Sequence, residues 1–189
     1  MIDKLITLPN KHLRQRSKRI GVINEKILNI IQDMKEVTIE WENSREHEVG
    51  VALAAIQIDI NLRIVIIRED TEHKENQNFI VFINPEITKL EGELLEDYEG
   101  CLSIKDIYGK VPRYSKARIK ALDENGKVIR VKAEGFLARI FQHEIDHTNG
   151  KLFIDHIKNK EDAFYRLDID GKLVSLDYEE DIRNNSILW

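Results

Sequence analysis

Apolar residues recur at Ile27, Ile30, Ile31, Met34 and Val37, in steps of three and four that share one helical face. This spacing predicts a helix from about Asn24 to Val37. The polar run Glu42-Asn43-Ser44-Arg45-Glu46-His47-Glu48 then reads as a solvated loop. Beyond it the period shortens. The runs from Leu62 to Ile67 and from Phe79 to Ile83 are rich in β-branched and aromatic residues, and Asn84-Pro85 stops the second. Ala117 to Leu122 and Lys127 to Val131 flank Asp123-Glu124-Asn125-Gly126, a hairpin signal. A last apolar segment, with Phe136, Leu137, Ile140, Phe141 and Ile145, predicts a core helix ending at Asn149-Gly150. Helix, several strands, then a buried helix is an α+β order with a largely antiparallel sheet.

Composition adds bounds to this outline. With 189 residues, 42% hydrophobic and 33% charged, the chain suits one globular domain over 1–189 with a sizeable core. A net charge of -5 supplies no basic field for nucleic acid or an anionic membrane. One cysteine permits no intrachain disulfide, and neither a secretory leader nor a run of membrane-spanning length is legible, so a cytoplasmic location is expected. Residues 158–189 form a C-terminal extension with five basic and eight acidic side chains. Within it, Leu167 to Val174 reads as a hairpin around an Asp-Gly turn.

The segment richest in chemistry is His143-Glu144-Ile145-Asp146-His147. Histidines four apart on a helix share a face and can grip one metal ion, while the adjacent glutamate reaches a water bound to it. Its apolar neighbours place these polar groups in a core helix, where they need partners. A catalytic site of this kind usually has three protein ligands. Metzincin-like spacing would put a third histidine where Phe153 stands, and the thermolysin-like candidates, Glu179 and Glu180, sit in an acidic run that reads as a solvated face. Cys101, within Glu99-Gly100-Cys101-Leu102-Ser103, is the remaining candidate, although a lone cysteine is more often a small buried hydrophobe.

Glu99 to Ser103, Gln142 to His147, and Gly50-Val51-Ala52-Leu53-Ala54-Ala55-Ile56-Gln57 occur in the order seen in the peptide deformylases, which the chain resembles from Leu8-Pro9 to about Ile157. The resemblance implies an α+β fold in which the sheet surrounds a central metal-binding helix. It implies Cys101, His143 and His147 as ligands of one divalent metal, natively ferrous iron, with zinc, nickel or cobalt as substitutes. It also implies Glu144 as the acid-base residue, and Gln57 and the Leu102 N–H as oxyanion donors. Val51, Ala52, Gly100 and Ile140 are expected to bind the substrate, an N-formylmethionyl nascent peptide losing its formyl group as formate. Glu99 with Arg113 is expected as a structural ion pair outside the chemistry, and Asp146 or a carbonyl as the partner of a ligand histidine.

Three departures stand out. Ala52 occupies a position where the family has glycine, which permits close approach and unusual dihedrals, and the added methyl could narrow the cleft or shift the peptide, altering substrate preference or rate without loss of the metal. Thr148 replaces a common leucine, and the acidic tail argues against the basic C-terminal helix through which family members reach the ribosome. Two competing readings follow: a general metallopeptidase, or a metal-stapled, catalytically weakened deformylase-like protein that lost substrate access at Ala52.

Overall fold

The computed structural model describes residues 1–71, 75–186 and 188–189. The Asn24 backbone is extended while its side chain accepts from the Ile27 amide, satisfying a donor that the first turn leaves open. Helix α1 (Glu25–Asn43) starts there and buries the predicted face. It continues past Val37 because Trp41 and Glu42 are also buried. The expected solvated loop from Glu42 is therefore corrected at its first residues. Glu42 Oε2 accepts from Arg68 Nη2 at 2.7 Å and from the Gly50 amide at 2.9 Å, so this carboxylate is an interior anchor.

Seven described strands follow: β1 (Ala52–Ala54), β2 (Ile64–Arg68), β3 (Phe79–Cys101), β4 (Ile104–Leu122), β5 (Val128–Glu134), β6 (Phe164–Leu167) and β7 (Leu173–Ser175). They form one sheet in the order β1-β2-β3-β4-β6-β7, with β5 also paired to β4, and every pairing between them is antiparallel. Asn84-Pro85 does not end a strand, contrary to expectation. The register shifts between Ile83 and Glu86, and the Asn84 side chain accepts from the Ile20 amide and donates to the Ile20 carbonyl. Such a bulge bends the strand without terminating it.

Helix α2 (Gly135–Thr148) follows β5. Alternation on β2 explains why its run is apolar throughout: Ile64 and Ile66 join the core under α1, while Val65 and Ile67 join the core under α2. Phe141 meets Phe82 edge-on in that second core, with centroids 4.8 Å apart. Thr148 is accommodated by donating its hydroxyl to the Ile145 carbonyl. A third core joins Ile104, Val111, Phe153, Ile157 and Phe164, which anchors β6. Beyond the β6–β7 hairpin lies a short π-helical turn, Tyr178–Arg183.

Candidate active site

Helix α2 presents His143 and His147 on one face, with Nε2 atoms 3.2 Å apart. Cys101 ends β3, and the two-residue turn Leu102-Ser103 reverses the chain into β4, delivering the sulfur to the helix. Its Sγ lies 3.2 Å from His147 Nε2, and the three donor atoms fall within 4.8 Å of one another. Glu179 is elsewhere in role: it pairs with Arg183 in the exposed turn. Phe153, at the other rejected position, stacks beside the His143 ring at 6.1 Å.

Three side chains meet at Glu99, which is almost wholly buried. Arg113 donates to both of its oxygens, at 2.9 and 3.0 Å, Arg139 Nη1 donates at 2.8 Å, and His143 Nδ1 lies 2.9 Å from Oε2. Burial alone would raise this carboxyl, but the hydrogen bonds from His143 and Arg113 hold it well below the usual range. Glu99 does pair with Arg113, and it also orients His143. Asp146, expected beside a ligand histidine, instead accepts from Arg113 at 2.6 Å and contacts His156 at 2.7 Å. His147 Nδ1 is buried without a partner among the described residues. Arg139 was missed, although its place four residues before His143 puts both on one helical face.

Glu144 is buried beside the cluster, and its Oε2 has no hydrogen-bond partner among the described residues. Burial pushes its carboxyl up to about 7, with His143 pulling the other way. Gln57 is oriented by its own turn: Oε1 accepts from the Ala54 amide at 2.8 Å, leaving Nε2 toward Ser103 Oγ at 3.2 Å and Cys101 Sγ at 3.5 Å.

These groups floor a cavity of about 480 Å³ whose lining includes Val51, Ala52, Gln57, Gly100, Leu102 and Ile140. Ala52 sits in regular strand pairing opposite Ile67, so its methyl requires no unusual dihedral. At Gly100 a Cβ would lie 2.6 Å from the Tyr108 ring, which explains a glycine beside the cysteine. Tyr108 in turn donates its hydroxyl to Glu48.

Two imidazoles and a thiol converge in the interior with their donor atoms within reach of one shared ion. The donor set fits a divalent transition metal, and Glu144 Oε2, without a partner among the described residues, is buried beside it. A metal-dependent hydrolase is the class this defines.

Comparison with known proteins makes the class specific. Residues 2–163 match the family model of polypeptide deformylase. A peptide deformylase of Halothermothrix orenii is 46% identical over 145 residues, covering 77% of this chain and 86% of that protein. One from Agrobacterium fabrum is 42% identical over 156 residues, covering 82% and 87%. Among solved structures, the Synechococcus elongatus peptide deformylase in complex with actinonin superposes with a TM-score of 0.73 at 36% identity, covering 82% of this chain and 79% of that one. The Legionella pneumophila peptide deformylase gives 0.71 at 39% identity, covering 80% and 83%. The chain belongs to the polypeptide deformylase family, and its activity is that of a metal-dependent deformylase.

Proposed function

We propose that deformylation of N-formylmethionyl peptides is carried by Glu144, Gln57 and the Leu102 N–H around a metal held by Cys101, His143 and His147. The observation carrying this reading is the convergence of those three donor atoms beside a buried, unpartnered carboxylate at the floor of an apolar cleft. A divalent ion held by Cys101, His143 and His147 would supply Lewis acidity toward the formyl carbonyl and the attacking water. Glu144 takes the proton of that water at Oε2 and returns it to the leaving amine nitrogen. Gln57, its amide oriented by the Ala54 N–H, turns Nε2 toward the developing oxyanion, and Leu102 in the β3–β4 turn adds its N–H. Val51, Ala52 and Gly100 border the peptide, and Ile140 supplies apolar wall for the methionine side chain.

Supporting this geometry from behind, Glu99 orients His143, and Arg113 and Arg139 hold Glu99. Ferrous iron is the native ion in this reading, with zinc, nickel or cobalt as substitutes, since a thiolate with two imidazoles suits all four. Thiolate ligation favours a reducing compartment, the cytoplasm. Residues 1–189 act as one catalytic domain, and the acidic turn Tyr178–Arg183 gives no support for a ribosome contact through the tail.

The test compares formyl and acetyl forms of one methionyl peptide, with protein loaded anaerobically with ferrous iron. Release from the formyl form alone supports deformylation, whereas equal cleavage of both, or cleavage inside the peptide, favours a general metallopeptidase. Activity kept under nitrogen and lost in air supports iron, and full activity in air contradicts it.

A further inference from the structure

The match to the family model ends at residue 163, and β6 begins at Phe164, yet the hairpin that follows lines the cleft. Its base is fixed: Phe164 is buried in the third core, and β6 pairs with β4 through Tyr108↔Tyr165 and Gly109↔Phe164. The Tyr98 and Tyr165 rings meet edge-on at 5.0 Å. Two residues along β6, Leu167 pairs directly with Leu173 of β7, so the two leucines stand side by side on one face. Both line the cavity and both are partly exposed. At the hairpin turn, Gly171 has φ +74, and a Cβ there would lie 2.9 Å from the His47 ring. The turn is thus seated on the segment between α1 and β1, and the hairpin closes the side of the cleft reached from Cys101 through Gly100, Tyr108 and Tyr165.

We infer that the β6–β7 hairpin is a specificity wall, in which Leu167 and Leu173 select nascent chains with an apolar side chain downstream of the formylmethionine. This rests on the deformylase reading. By strand position Leu167 lies two residues beyond Tyr165, which pairs with Tyr108, and this places the leucines, in our reading, against a part of the substrate beyond the residue that carries the formyl group. Two partly exposed leucines in a walled cleft are water-covered until an apolar side chain lies on them, and contact of this size is worth roughly tenfold in kcat/KM.

The experiment measures kcat/KM of the ferrous protein for formyl-Met-Ala and for formyl-Met-Ala peptides extended by leucines or by serines. The wild type should favour the leucine extension over the serine extension by about tenfold. In Leu167→Asn with Leu173→Asn this ratio should fall to near one, and Gly171→Ala, which lifts the turn off His47, should lower it in the same direction. The wall is overturned if the wild-type ratio is near one, or if it survives in the double variant. Absence of turnover of formyl-Met-Ala by the wild type would instead overturn the deformylase reading, and the inference with it.

Discussion

At the scale of single residues, the site separates groups that support structure from groups that leave structure unsatisfied. Glu144 Oε2 is buried with no partner among the described residues, a cost to folding that the proposed proton-transfer role would explain. Glu144→Ala should therefore keep or slightly raise the melting temperature and retain the metal, while turnover falls by ~10²–10⁴-fold. A thermal melt beside a rate assay checks this, and a large drop in melting temperature would argue for a structural Glu144. Glu99 is the opposite case. Removing it leaves Arg113 and Arg139 buried without their shared carboxylate and frees His143 Nδ1. Glu99→Ala should cost ~3–5 kcal/mol in urea unfolding and weaken the metal by ~10–100-fold. The family resemblance supplied the Glu99–Arg113 pair, whereas the contact to His143 was not legible, because β3 and α2 are distant in the chain.

Among elements, α2 and the β3–β4 hairpin build the site. The period of Ile140, Phe141 and Ile145 made α2 legible, as did its stop at Gly150, which has φ +73. A Cβ at Gly150 would lie 2.4 Å from the Arg14 carbonyl oxygen. Gly150→Ala should consequently destabilise the protein by more than ~1 kcal/mol, measured by chemical denaturation. An unchanged midpoint would show that this close approach is relaxed in solution. The long strands were less legible. A bulge at Asn84-Pro85 looks like a stop in one dimension, since the side-chain bonds that satisfy it come from Ile20. Likewise, α1 outran its predicted end because Glu42 is neutralised by Arg68, a partner on β2.

For the whole molecule, the three donor residues proposed as ligands lie at the end of β3 and on α2, so an ion bound there would stabilise the packed state as well as the reaction. Chelation should lower the melting temperature, and ferrous or zinc ions should restore it by mass action. Indifference to chelator would mean that the cluster holds no tightly bound ion. The antiparallel sheet and the metal motif were readable from local pattern and spacing. The placement of the C-terminal hairpin against the cleft was not, because it depends on pairing between Tyr108 and Tyr165 across the fold. The most direct test of the central claim is formate release from a formylmethionyl peptide by iron-loaded wild type and Glu144→Ala, with metal content measured on the same samples. Rapid release by the wild type and none by an equally metal-filled variant is the expected result. Release by the variant at near the wild-type rate, or no release by metal-filled wild type, would contradict the account.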